Sequence, residues 1–279
     1  MPQSLLRFFI PDRKMILVAD NLQITHPVIA GAVEQLNPGP IQELLQECES
    51  AGAQAIDINS GPLTREPEKK MSFLVEAVLS VTRLPLLLDT SNPGALEAGL
   101  KAAQNQSVSP IINGFSLEPR KLEQILPLAK TYHADIIGYL LTPDSHVPAD
   151  ETDCISVALE LYEKFQAAGL ANDQLIIDPV VAPVIWENGV RHNQNVISLI
   201  RNLPDILGFP VKTIAGISNL TTGKIPLGKK LLMEESFLPI LAGAGLSMAL
   251  LNVFHTRTLQ IARACDALLS PGVFSWANL

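Results

Sequence analysis

Residues 84–92 read "LPLLLDTSN". An apolar run fit for a protein core stops on a carboxylate, Asp89, and the polar residues Thr90, Ser91 and Asn92 follow. A buried charge is costly unless something pairs with it. Asp, Thr, Ser and Asn are also ordinary turn formers. One such stretch leaves both readings open, and its repetition along the chain decides between them.

The same grammar recurs in "MILVADN" (15–21), "QAIDINSG" (54–61), "SPIINGFS" (109–116), "DIIGYLLT" (135–142), "LIIDPVVAP" (175–183), "KTIAGISNL" (212–220) and "MALLNVFH" (248–255). Between these strands lie helical patterns such as "PIQELLQECESAG", "EKKMSFLVEAVLSVT", "PRKLEQILPLAKTYH" and "DCISVALELYEKFQAAG", where apolar residues recur at threes and fours. The polar residues at the strand ends are Asp20, Asn59, Asp89, Asn113, Thr142, Asp178, Asn219 and Asn252. Their intervals run from 24 residues (Asp89 to Asn113) to 41 (Asp178 to Asn219), room for one strand-loop-helix unit each. Near-continuous apolar strands alternating with helices imply a parallel sheet covered on both faces. Eight units predict an α/β fold, a closed (β/α)8 TIM barrel, in one domain over 1–279. The open doubly wound alternative lacks its GxGxxG signature, since "ADNLQITHP" follows the first strand. Residues 1–14 are expected to form an N-terminal arm or a plug over the barrel bottom. The long segment "NLTTGKIPLGKKLLMEES" (219–236) reads as a lid.

The bulk composition narrows the function. With 47% hydrophobic residues and a net charge of −8, the 279-residue chain is a poor partner for nucleic acid or an anionic membrane surface. No apolar run approaches the roughly 20 residues of a spanning helix. The first residues, "MPQSLLRFFIPDRK", lack the pattern of a secretory leader. Cys48, Cys154 and Cys265 show no CxxC spacing and lie in helix-like stretches, which argues for a reducing, cytoplasmic setting and against a Cys-held metal.

In a barrel of this kind the active site is built at the C-terminal ends of the strands, so the strand-end residues become neighbours. Here they are carboxylates and carboxamides, Asp57 and Asn59 included, and no Lys or Arg ends a strand. A metal is disfavoured: the five histidines form no HxH or HExxH pair, although His146 and His255 follow strands closely. A phosphate site has weak support, with Gly and a helix start in "GISNLTTG" but only the later Lys224 and Lys229 as cations. The third option is a neutral heterocycle rich in N–H donors, because a carboxylate accepts two hydrogen bonds side by side and a carboxamide both donates and accepts. Against all three stands the plain alternative that these residues only cap helices and turn loops.

At these same residues the sequence resembles the pterin-binding methyltransferases, relatives of dihydropteroate synthase, and most of all the methyltetrahydrofolate:corrinoid protein methyltransferases. The likeness runs from Met15 to Cys265 and rests on "AGAQAIDINSGP", "LPLLLDTSNPGALEAGL", "PIINGFS", "LIIDPVVAP" and "AGISNLT" in order. It implies a pterin lying across the barrel mouth, held by Asp89, Asn113 and Asp178, with Asp178 on the amino-pyrimidinone edge. Asn219 corresponds to the residue that reaches N5, and is the catalytic candidate. Asp57 and Asn59 match the second-strand rim, Gly216 and Ser218 bring backbone near the ring, and Thr222 is a ring contact. Strand one, "LVADNLQIT", departs from the family pattern, so Asp20 and Asn21 receive no role.

The implied reaction moves a methyl group between N5 of tetrahydrofolate, or 5-methyltetrahydrofolate, and the cobalt of a corrinoid (cobalamin-type) group in one-carbon metabolism. The chain lacks the Asp-x-His-x-x-Gly corrinoid signature, so the corrinoid is expected on a separate protein that docks over a polar rim. A homodimer is implied by the resemblance alone. The rivals are a dihydropteroate synthase-like enzyme, a pterin- or corrinoid-system binding protein without turnover, and a metal-dependent aldolase or hydrolase.

Overall fold

The computed structural model describes residues 14–270 and 273–276. Eight strands, β1 (Ile16–Gln23), β2 (Ala55–Asn59), β3 (Leu86–Asp89), β4 (Ile111–Phe115), β5 (Asp135–Tyr139), β6 (Leu175–Asp178), β7 (Lys212–Gly216) and β8 (Met248–Leu251), close in sequence order into a barrel. Every neighbouring pair is parallel. The (β/α)8 barrel read from the alternating pattern is the observed fold. The arm or plug expected at 1–14 falls, except for Lys14, outside the described residues.

Helices α1 (Pro27–Gln35) and α2 (Gly39–Ala51) follow β1, and α3 (Pro67–Leu79) and α4 (Pro93–Asn105) follow β2 and β3. The pattern at 119–133, read as one helix, is two: α5 (Pro119–Gln124) and α6 (Leu126–Tyr132). Pro127 lacks the N–H that a continuous helix would need there and starts a new one instead. The remaining helices are α7 (Glu151–Ala167), α8 (Gly189–Leu207), α9 (Leu227–Ala244) and α10 (Thr256–Leu269). A 3-10 turn, Ile217–Thr221, follows β7, and α9 begins at Leu227, so most of the expected lid is helix, with Leu227, Leu232 and Met233 exposed on its first turns. Further along, Phe237, Leu238, Leu241 and Ala242 pack the same helix on the core.

Successive strand residues point to opposite faces, so residues two apart share a face. Val18, Ala55, Leu87, Ile111, Ile137, Ile176, Ile214 and Met248 form one buried apolar layer inside the barrel. Their strand neighbours, such as Ile56, Ile58, Leu86 and Leu88, face outward into the larger core shared with the helices. The seam between first and last strands pairs Ile16 to Met248 through Ala19 to Leu251. It is clasped at the mouth by Asn21, whose Nδ2 donates to Asn252 Oδ1 at 2.8 Å, while its Oδ1 accepts from Val253 N at 3.1 Å.

Candidate functional site

Two residues beyond the apolar layer, each strand places a residue on the same inner face: Asp20, Asp57, Asp89, Asn113, Tyr139, Asp178, Gly216 and Leu250. Together with Gln23, Asn59, Ser218 and Asn219 they line a cup of about 210 Å³. Register makes them neighbours, since Asn59 pairs with Asp89, Asp89 with Asn113, and Tyr139 with Asp178. The opening stretch divides here. Asp89 faces the cup, whereas Asn92 caps α4 by accepting from Ala95 N at 3.1 Å.

The cup is wired by carboxamide donors. Asn59 Nδ2 donates to Asp89 Oδ2 at 2.9 Å, and Asn113 Nδ2 donates to Asp57 Oδ1 at 3.2 Å. The Tyr139 hydroxyl donates to Asn113 Oδ1. Asp178 Oδ1 accepts the Val180 N–H at 2.7 Å. That N–H is aimed by a left-handed backbone at Val180 (φ 61°), a conformation β-branched residues rarely adopt. On α8, His192 holds the Val180 carbonyl with Nε2 at 2.8 Å.

Burial raises every carboxylic acid in the cup. Asp57 is pushed well above its ordinary value by burial, then by Asp89, and its bond from Asn113 only partly opposes this. Burial lifts Asp89 to about 6 against the pull of the Lys121 ammonium, and Asp178 to about 7 against the Val180 bond. Asp20 is raised by burial too. The cup is therefore rich in acceptors and uneasy with its negative charge, which suits a ligand bringing N–H donors.

Asn219 stands on the 3-10 turn with an exposed side chain that has no hydrogen-bond partner among the described residues. A Cβ on Gly216 would come within 3.0 Å of Asn219 Nδ2, so glycine leaves room for the carboxamide. The turn is anchored on three sides. Ser218 Oγ donates to Asp20 Oδ2 at 3.5 Å, Thr221 Oγ1 donates to the buried Glu234 carboxylate, and Leu220 O accepts from Val184 N at 3.0 Å.

Beside the cup lies an outer groove of about 930 Å³, joined to it through Asp20, Gln23 and Ser218. Thr222 lines this groove rather than the cup, as do His26, Lys230, Glu234 and His255. Lys230 lies 3.7 Å from Glu234. His146 is exposed and paired with Asp144 at 2.9 Å. Among the described residues no group of three or more His, Cys, Asp or Glu is placed to hold a metal, and no helix is long and apolar enough to cross a membrane. Each cysteine is buried and free, and burial pushes the Cys48 thiol to about 12 and Cys154 to about 11.

The expected site residues Asp57, Asn59, Asp89, Asn113, Asp178, Gly216, Ser218 and Asn219 all come together. Three others were passed over. Tyr139, not Thr142, is the inward group of β5; Thr142 belongs to an outer turn and bonds Asp144 and the His146 backbone. Asp20 lines both cup and groove. Lys121 reaches the cup from α5, 5.8 Å from the Tyr139 ring centroid. Counting two residues on from each inward apolar position finds Tyr139 and Asp20, but nothing local marks Lys121. The rim differs as well: it was expected to be polar, yet Ile185 (67% exposed) and Trp186 (53%) stand beside the Asn219 turn, and Val28 and Phe254 edge the groove. Small docking faces are anchored by such aromatic and aliphatic side chains even when most of the surface is polar.

Fold and site together define a (β/α)8 barrel with a small, acceptor-lined cup at its mouth. The family described as pterin binding enzyme matches residues 40–252, and the chain belongs to it. It is 24% identical over 258 residues, 91% of each chain, to a methylcorrinoid:tetrahydrofolate methyltransferase of Eubacterium limosum. Similar solved structures include the Yersinia pestis dihydropteroate synthase with a pterine-sulfa conjugate (TM-score 0.68, 19% identity, 91% of this chain and 93% of that one). Another is the Xanthomonas albilineans dihydropteroate synthase (TM-score 0.63, 18% identity, 92% and 94%). At such identities these structures bear on the fold alone.

Proposed function

We propose that this protein transfers a methyl group between N5 of a tetrahydrofolate and a corrinoid presented by a separate protein. The observation that carries the reading is Asn219: an unengaged carboxamide on a braced turn at the edge of a pterin-sized cup. The E. limosum relative supports the same reading by its name.

The corrinoid, when docked, supplies the methyl donor or acceptor. In the direction away from folate the N5–methyl bond breaks, its electron pair stays on N5, and a proton must arrive there. Asn219 is a fixed donor for that nitrogen as basicity develops, which is electrostatic preorganisation rather than strong-acid catalysis. Asp178, Asp89 and Asp57 accept from the ring's N–H groups, and Asn113 adds a donor beside them, so that together they fix the ring. Orientation of the two reactants supplies much of the remaining acceleration.

A dihydropteroate synthase-like reading needs a cation free to receive pyrophosphate. Lys230 is the groove's nearest offer, and Glu234 and Asp20 already surround it. The test mixes protein, methylated corrinoid and tetrahydrofolate without oxygen and follows the spectrum of the demethylated corrinoid. Transfer is expected, and Asn219→Ala should slow it by about 10²-fold, the usual effect of losing one preorganised donor. Silence with every corrinoid and tetrahydropterin tried would defeat the proposal.

A further inference from the structure

The Asn113 carboxamide sits between two partners of opposite demand. Its Nδ2 donates to Asp57 Oδ1, and its Oδ1 accepts from the Tyr139 hydroxyl. A carboxamide has one oxygen acceptor and two N–H donors, and turning it over exchanges them. Turned over, Asn113 would set its oxygen against the Asp57 carboxylate and lose the Tyr139 donor. Tyr139 has no better role open to it. Burial, then Asp89, Asp178 and Asp57, hold its phenol far above the ordinary value, so it remains a neutral donor. Its ring packs on the apolar layer below and lies under the Lys121 ammonium.

We propose that Tyr139 is a positioning residue for pterin recognition: its hydroxyl fixes the Asn113 carboxamide in one orientation, so that Asn113 meets the ligand as a preset donor. Without that bond the oxygen of a buried amide is left unsatisfied, and the flipped state gains population at the ligand's expense. Tyr139 thereby selects ligands with an acceptor opposite Asn113 over those with a donor there. The inference rests on a tetrahydropterin filling the cup, and not on methyl transfer.

The test is a double-mutant cycle read by anaerobic calorimetry with tetrahydrofolate. Tyr139→Phe keeps the ring and its packing and removes only the hydroxyl. It should weaken binding about tenfold. Asn113→Ala weakens binding by itself. Adding Tyr139→Phe to it should change the affinity by less than about twofold, because nothing is left to hold in place. A tenfold loss in both backgrounds, or a Tyr139→Phe protein that binds as wild type does, overturns the inference. Tyr139→Met, which also lacks the donor, repeats the measurement should the Phe ring pack badly. A wild type that binds tetrahydrofolate but moves no methyl group sinks the proposed reaction and leaves this cycle valid. A wild type that binds no tetrahydropterin overturns both.

Discussion

Inside the barrel two adjacent layers are built on the same eight strands, and they obey opposite rules. The lower layer is wholly apolar, from Val18 round to Met248. The upper one, two residues along each strand, carries four carboxylates, a carboxamide and a phenol. A step of two residues, roughly 7 Å along a strand, thus takes the chain from maximal stability to maximal chemical use. The upper layer is tolerable because each carboxylate accepts a hydrogen bond or is raised in pKa, and because the cup opens to solvent and ligand. The lower layer has neither remedy.

The contrast is broken most violently by moving a charge down one layer. Ile176→Asp places an unpaired carboxylate beneath Asp178 and should cost more than about 4 kcal/mol. Loss of cooperative urea unfolding is the expected result, and a normal transition would show that the layers are not distinct. Asp178→Asn works in the other direction. It should weaken tetrahydrofolate binding about a hundredfold, the cost of a lost charge-assisted edge contact. It should also stabilise the free protein at pH 8 by about 1–2 kcal/mol, since a buried charge disappears. The sign with pH follows from the raised value of about 7. A carboxyl raised in the fold favours the folded state while protonated, and that benefit is lost as pH rises from about 4 to about 7. Thermal melts of variant and wild type should therefore converge near pH 4, draw apart between about pH 4 and about pH 7, and keep a constant gap above that; a gap that does not change with pH from about 4 to about 7 would refute the assignment. Lys121→Met is the mildest change. Removing the cation that pulls Asp89 down should move its titration above about 6, followed by carboxyl-carbon NMR. An unmoved midpoint would separate Lys121 from the cup.

The lower layer was easy to see in the sequence, because "ILV", "LLL" and "LII" leave little else for a strand to do. Asp89, Asn113 and Asp178 were legible because each terminates such a run. Tyr139 was overlooked because "GYLLT" continues apolar for two residues, which carried the expected strand end to Thr142. The chain actually leaves the barrel at Tyr139. Asp20 was set aside because "LVADNLQIT" departs from the family pattern; in the fold β1 runs on to Gln23 through an irregular register against β2, and Asp20 keeps its inward place. Lys121 and Lys230 reach the mouth from helices, where distance along the chain says nothing of distance in space. The segment after Asn219 looked like a lid because it is longer than a minimal loop, and its polar start, "TTGK", gives no sign of the helix that begins at Leu227.

The seam between β1 and β8 also shapes the protein's manufacture. Asn21 and Asn252, which clasp it, are 231 residues apart in the chain. During synthesis β1 emerges early and keeps one flank unpaired until β8 has left the ribosome. Exposed strand flanks recruit other chains, and distant pairings are slow to form. The nascent chain therefore passes through an adhesive stage that lasts until β8 is made, and a product truncated ahead of Met248 stays in it. Expression yield should fall more on deleting β8 than on deleting any other single strand.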